Sequence, residues 1–293
     1  MDNVEFTTKR IGPVVAETRI AGLTAGDKTG ILYMSDIHWD AKTCNRTLLK
    51  KHLDKAKENN WGVVIAGDVF DAMQGKFDPR RNMDELRPEL QVGNYFDELI
   101  NLATEWFAPW ASIIHLASYG NHETSIIRHN NTDLLERWVY SMRTVNKSPV
   151  VKGGYGTWHM LRFMSGKKVG TTKKAYYYHG KGGASPVTLG VIDTNRQAAF
   201  LNDVDLVVNG HNHQGYVVGL PKIGLTERGK IERGITYFLR TPGYKASGID
   251  EPFGFDIEKL SPKPNGSILV EFGINGDGSY NDRLSMNAMT LFE

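Results

Sequence analysis

Cysteine is almost missing from this chain: the 293 residues hold one, Cys44. A lone thiol excludes an intrachain disulfide and a thiolate-held metal cluster, and it fits a reducing, cytoplasmic setting. Long apolar runs are missing as well. None approaches the ~18 residues that a membrane span needs, so no membrane partner is expected. The opening MDNVEFTTKR is polar and has no signal-peptide core. Charge of one sign is not in excess: Lys plus Arg number 35, Asp plus Glu 33, for a formal net charge of +2. That balance neither predicts a nucleic-acid partner nor excludes one. There is no internal repeat, no low-complexity tract and no linker, so residues 1–293 read as a single domain.

What is present is a series of apolar runs, each ending in polar residues. TGILYMSDIH carries Ile31 to Met34 and then Asp36 and His38; WGVVIAGDVFD carries Val63 to Ala66 and then Asp68. ASIIHLASYGNHE ends on Asn121, His122 and Glu123, KAYYYHGKGG reaches His179, and VDLVVNGHNH ends on His211 and His213. Runs rich in Val, Ile and Tyr and bounded by Gly read as strands buried on both faces. Between them, NRTLLKKHLDKAKEN places Leu48, Leu49, Leu53 and Ala56 on one helical stripe, and YFDELINLATEWFAPW does the same with Phe96, Leu99, Ile100, Ala103 and Phe107. Strand–helix alternation implies an α/β core. Ligands in such sheets bind at the carboxyl ends of strands, where every polar cluster above falls. Residues 74–95 read as a polar insert near the pocket, and residues 214–293 as short strands that complete a sheet and form a hairpin.

The clusters pool into Asp36, His38, Asp68, Asn121, His122, His179, His211 and His213, a set of oxygen and nitrogen donors without sulfur. Such a set suits Mn, Zn, Fe or Ni. It is too large for one ion and implies two, sharing a carboxylate. Two ions about 3.5–4 Å apart clamp a phosphoryl group and lower the pKa of a bridging water, giving a hydroxide nucleophile.

Taken in order, D-x-H at Asp36 and His38, G-D-x-x-D from Gly67 to Asp71, G-N-H-E from Gly120 to Glu123, the separate His179-Gly180 and G-H-x-H from Gly210 to His213 resemble the calcineurin-like metallophosphoesterase superfamily, over roughly residues 31 to 215. The resemblance implies a four-layer αββα sandwich of two mixed sheets flanked by helices, with a dimetal site at the strand ends. It implies a first divalent ion, Mn foremost, held by Asp36, His38, Asp68 and His213, and a second held by Asp68, Asn121, His179 and His211, with Asp68 bridging. It gives His122 a catalytic role at the leaving oxygen, and gives Asp71 and Glu123 the role of orienting imidazoles. The two histidines of GHNH would then serve one ion each.

The resemblance is closest to the phosphodiesterase and repair-nuclease branches, so the expected substrate is a phosphodiester, with nucleic acid or a nucleotide among the candidates. A phosphomonoesterase is the alternative. Protein phosphatases of this superfamily carry Arg after the second block, to grip the phosphate dianion, and here that position is Ala72. A third reading, a scaffold that has lost catalysis, conflicts with the complete ligand set. Arg128, Arg80 and Arg81 are candidate substrate contacts. Lys76 and Arg87 could join them, although Asp78, Asp84, Glu85 and Glu89 balance the insert's charge. His52, His115, His129 and His159 read as packing or surface residues. The apolar tail leaves an oligomer open. The insert's FDPRRNMDELRPEL is similar to inserts of virus-encoded members, which would act in host cytoplasm.

Overall fold

The computed structural model describes residues 4–72, 85–182, 185, 187–225, 227, 229–245, 263–276 and 283–293. Arg80, Arg81, Lys76 and the first half of the insert lie outside them.

Six strands form one sheet in the order β13-β12-β3-β4-β5-β6: β3 (Lys28–Met34), β4 (Gly62–Ile65), β5 (Ile114–Ala117), β6 (Val151–Lys152), β12 (Gly266–Ile274) and β13 (Leu284–Phe292). From β3 to β6 the pairing is parallel, and β12 runs antiparallel to β3. Seven strands form the other, in the order β1-β2-β7-β8-β9-β11-β10: β1 (Glu5–Gly12), β2 (Val15–Ala21), β7 (Gly156–Ser165), β8 (Lys168–Tyr178), β9 (Leu206–Asn209), β10 (Tyr216–Leu225) and β11 (Ile231–Arg240). Both sheets are therefore mixed.

The near-continuous apolar β3 is explained by two cores. Leu32 and Met34 point into the layer packed with helices, while Ile31 and Tyr33 point into the layer between the sheets. Alternate side chains of one strand thus serve opposite faces, and neither face tolerates a polar residue. The helical layer on the six-stranded sheet holds α1 (Arg46–Glu58), α2 (Tyr95–Phe107), α3 (Asn121–Asn130) and α4 (Leu134–Val145). The stripe Leu48, Leu49, Leu53 and Ala56 is buried as its spacing predicts, and Asn45 caps α1 by accepting from the Leu48 N–H at 3.0 Å. α5 (Val191–Phe200) covers the outer face of the seven-stranded sheet over a small core of Val204, Val207 and Phe238. Four layers result, αββα, with the tail supplying β10 to β13 to both sheets. No helix among the described residues is long and apolar enough to cross a membrane.

Between the sheets the apolar layer is interrupted by a polar chain. Thr8 bonds Thr18 (2.8 Å) and His115 Nδ1 (3.0 Å), Thr18 bonds His159 Nε2 (2.6 Å), and His159 Nδ1 bonds the Tyr177 hydroxyl (2.6 Å). His115 and His159 are packing residues in this sense. Burial pushes His115 down to about 4 and His159 down to about 3. The unfolded chain, with imidazoles near 6.5, takes up protons that the fold refuses, so this contribution to stability is whole above pH ~6.5 and lost as pH falls toward 4, at about 1.4 kcal/mol per pH unit for each histidine. Melts followed by circular dichroism at pH 7 and pH 5 are expected to show a large fall in Tm for the wild type and a smaller one for His159→Gln. Equal slopes would mean that His159 is not held neutral.

Candidate metal centre

The strands β3, β4 and β5 of one sheet and β8 and β9 of the other all end at one place. Asp36 and His38 follow β3, Asp68 follows β4, Asn121 and His122 open α3 just after β5, His179 follows β8, and His211 and His213 follow β9. The chain turns sharply to place them. Asp36, His38, Asp68, His211 and His213 all have left-handed backbones, with φ of 50°, 49°, 51°, 74° and 56°. Asp and His adopt this region more readily than most residues, but each instance still costs on the order of 1–3 kcal/mol. Strain concentrated on the donor residues marks the place as functional. Two glycines make the approach close enough: a Cβ on Gly120 would lie 1.9 Å from Asp68 Oδ1, and one on Gly210 would lie 2.4 Å from Asp36 Oδ2.

The donor atoms fall into overlapping groups. Asp36, His38 and His213 form one, Asp68, His179 and His211 another, and His38, Asp68 and His122 a third; within each, the atoms lie within 4.8 Å of one another. Asp68 Oδ2 and Asn121 Oδ1 stand 3.0 and 3.1 Å from His179 Nε2, and Asn121 Oδ1 stands 2.7 Å from His211 Nδ1. His179 Nδ1 is 2.9 Å from the Ala66 carbonyl. A carbonyl only accepts, so Nδ1 carries the hydrogen, and a neutral His179 would aim its Nε2 lone pair at two oxygen acceptors. A cation at their centre relieves that. In the free chain it is a proton: against burial, Asp68 and Asp36 push His179 up to about 10. Asp68 itself is held well below the carboxylate range, because His179 and His122 outweigh its burial. His38 Nε2 is buried with no hydrogen-bond partner, beside the stacked ring of His213 at 5.2 Å. Stacked imidazoles cannot cheaply share two protons, and burial pushes His213 down to about 3. Convergent carboxylates, an amide oxygen and unpaired imidazole nitrogens suit divalent cations.

The surrounding groups aim these donors. Asp71 Oδ1 lies 2.8 Å from His38 Nδ1, in an off-line contact closer to an ion pair than to a directed hydrogen bond. Such a carboxylate behind a histidine fixes which nitrogen faces the metal. Glu123 accepts from the N–H groups of Gly120 (2.8 Å), Asp68 (3.2 Å) and Phe70 (3.1 Å), tying the second and third ligand loops together. Asp71→Asn is expected to weaken metal binding about 10–100-fold, as read by titration against a chelator, with the fold intact. Unchanged affinity would relieve Asp71 of that role.

His122 is buried, with Nδ1 2.5 Å from the Asp71 carbonyl and Nε2 3.8 Å from Asp68 Oδ2. Its Nδ1 must donate, which leaves Nε2 toward the cluster. Arg128, in contrast, is exposed in the last turn of α3, roughly 10 Å along the axis from Asn121. It is not brought to the cluster. Arg87 is spent on the Ala41 and Cys44 carbonyls at 3.1 and 3.0 Å.

Several contributors were not singled out in the sequence. Asp40 accepts from the N–H groups of Asp71 (2.6 Å) and Ala72 (2.9 Å) and also holds the Tyr95 hydroxyl, so it shapes the second ligand loop. Its signal was a second carboxylate just after D-x-H. Ser35 bonds Asp36 and, at 2.6 Å, Thr241. Lys245 Nζ lies 3.8 Å from Asp71 Oδ1 and 3.5 Å from Glu85. Thr241 and Lys245 come from beyond the last motif, where no pattern announced them.

A family model described as calcineurin-like phosphoesterase matches residues 30–215. Among curated proteins none matches. Among solved structures, a conserved uncharacterized protein from Streptococcus pneumoniae, titled a predicted phosphoesterase, is similar at 13% identity over 91% of this chain and 100% of its own, with a TM-score of 0.31. The family match covers more than half of the chain and takes in every strand end that feeds the cluster, from Asp36 to His213, so the protein belongs to the calcineurin-like phosphoesterase family and is a metal-dependent phosphoester hydrolase.

Proposed function

We propose that the chain hydrolyses phosphodiesters, with nucleic acid or nucleotides as the substrate class, using two divalent ions, Mn first among them. Asp36, His38, Asp68 and His213 would hold one ion, and Asp68, Asn121, His179 and His211 the other. When bound, the ions supply Lewis-acid polarisation of the phosphoryl oxygens and acidify a coordinated water. The chain's own residues do the rest. Asp68 sits at the α3 N-terminus, where Oδ1 accepts from the His122 N–H at 3.0 Å, and the helix dipole favours its negative charge. His122 keeps Nδ1 on the Asp71 carbonyl and can hold a proton at Nε2 for a departing oxygen.

The observation that carries the diester reading is Ala72. It occupies the loop position where a guanidinium would grip a monoester dianion, and it is buried at 1% exposure. A diester carries one charge fewer and needs the anchor less. The test is side-by-side hydrolysis of bis-p-nitrophenyl phosphate and p-nitrophenyl phosphate by Mn-loaded protein. At least tenfold higher kcat/KM on the diester is expected. Preference for the monoester would mean that another cation replaces the missing anchor, and would reverse the reading.

A further inference from the structure

Three residues, Gly153, Gly154 and Tyr155, carry the chain from β6, at the edge of the six-stranded sheet, to β7 in the seven-stranded sheet. On the way they bond to two of the loops that build the metal centre. The Gly153 N–H donates to the Ala117 carbonyl at 2.8 Å, and the Gly154 carbonyl accepts from the Tyr119 N–H at 3.2 Å. Both bonds hold the end of β5, just ahead of Asn121. The Tyr155 carbonyl accepts from the His179 N–H at 3.1 Å, and the Tyr155 hydroxyl donates to the Gly180 carbonyl at 2.6 Å. The Tyr155 ring also stands edge-on to the His179 ring, with centroids 5.6 Å apart. The approach on the β5 side needs glycine, since a Cβ on Gly153 would lie 2.4 Å from Ser118 Oγ.

These contacts reach one half of the centre. Asn121 follows a strand of one sheet and His179 a strand of the other, yet Asn121 Oδ1 and His179 Nε2 stand 3.1 Å apart. The sheets meet through apolar side chains, and apolar contact has no direction. A metal site needs its donor distances right to about 0.2 Å. Directed hydrogen bonds across the sheets supply that precision. The Ala66 carbonyl aims the His179 ring, while Tyr155 fixes the backbone from which the ring hangs. Gly180 has φ of 124°, and a Cβ on it would lie 2.9 Å from His211 Cβ. The residue that Tyr155 holds is therefore packed on the second imidazole of the same donor group. Asp36 and His213, assigned to the other ion, are braced from elsewhere. The Tyr244 N–H donates to the Asp36 carbonyl at 3.0 Å, and a Cβ on Gly243 would lie 2.6 Å from His213 Nδ1.

We infer that Tyr155 is a positioning residue for one of the two ions, the one assigned to Asp68, Asn121, His179 and His211, and that its hydroxyl bond to Gly180 raises the affinity of that ion and not of the other. The inference rests on the two-ion reading and deepens it.

The test titrates the EDTA-treated full chain with MnCl2 and reads free Mn by its EPR signal, without any turnover. The wild type is expected to bind two Mn per chain. Tyr155→Phe keeps the ring and loses the hydroxyl alone; it should bind one Mn as the wild type does and the other about tenfold more weakly. With two equivalents added, its low-temperature EPR spectrum should move from that of an exchange-coupled pair toward that of an isolated ion. An Asn121→Ala background identifies the site. There the assigned site is already impaired, and the remaining tight Mn should be indifferent to Tyr155→Phe. A comparable loss in that background would put the effect of the hydroxyl on the other ion and overturn the inference. So would equal weakening of both sites in Tyr155→Phe, which is general loosening of the fold, or two unchanged affinities. A wild type that binds a single Mn overturns the two-ion reading and the inference with it, whereas two Mn bound equally well by wild type and variant overturns the inference alone.

Discussion

Asp68→Asn is expected to cut phosphoester hydrolysis about a thousand-fold and to leave the protein with less bound metal, since losing one shared charge removes several kcal/mol of transition-state stabilisation. Asn suits the test better than Ala. Position 68 has φ of 51°, which Asn tolerates and Ala does not, and an Asn carbonyl can still accept from the His122 N–H as Oδ1 does at 3.0 Å. The variant therefore keeps the loop and removes the charge. In the wild type that charge serves two of the three donor groups: Asp68 stands with His179 and His211 in one and with His38 and His122 in another. Metal content by mass spectrometry and turnover on bis-p-nitrophenyl phosphate should fall together. Full metal content with lost turnover would show that Asp68 acts in the chemistry and not as the common ligand. Unchanged values of both would remove it from the site.

How far the sequence led follows from where each residue's constraint lies. The strand ends were legible because β3, β4, β5 and β9 are buried on both faces, which leaves a largely apolar run, broken in β5 by His115, ahead of the first donor. The stripes of α1 and α2 were legible because one face of each is buried. α4 went unread although Leu134, Leu135, Trp138, Val139 and Met142 form a clear stripe and Asp133 caps it, accepting from Glu136 N–H at 2.9 Å. The hairpin of β1 and β2 was also missed. Its outer strand β1 alternates exposed and half-buried residues with charges, a weak pattern for an edge strand. The residues that aim the ligands were the hardest to see. Asp40, Thr241 and Lys245 act through backbone N–H groups, a serine hydroxyl and a second carboxylate, contacts between segments that no local spacing encodes. Arg128 shows the converse case. Its closeness in sequence to G-N-H-E suggested the pocket, but a helix carries successive residues away from its first turn at about 1.5 Å each.

The His122→Ala variant should keep its metals and lose turnover in a way that depends on the leaving group. General acid assistance contributes about 10²–10⁴-fold where the departing oxygen needs a proton. A p-nitrophenolate departs readily without one, whereas an alkoxide, such as a ribose hydroxyl, does not. The loss should therefore be small on bis-p-nitrophenyl phosphate and on the order of a thousand-fold on a dinucleoside phosphate. The geometry leaves one nitrogen for this proposed role. His122 Nδ1 is committed to the Asp71 carbonyl at 2.5 Å, so any transferable proton sits on Nε2, which faces the cluster. Equal losses on both esters would mean that His122 neutralises charge on the phosphoryl oxygens and does not protonate the leaving group. Loss of metal would mean that it is a ligand, as its grouping with His38 and Asp68 within 4.8 Å allows. The measurement thus separates proton donor, electrostatic partner and ligand, three roles that one imidazole at this position can play.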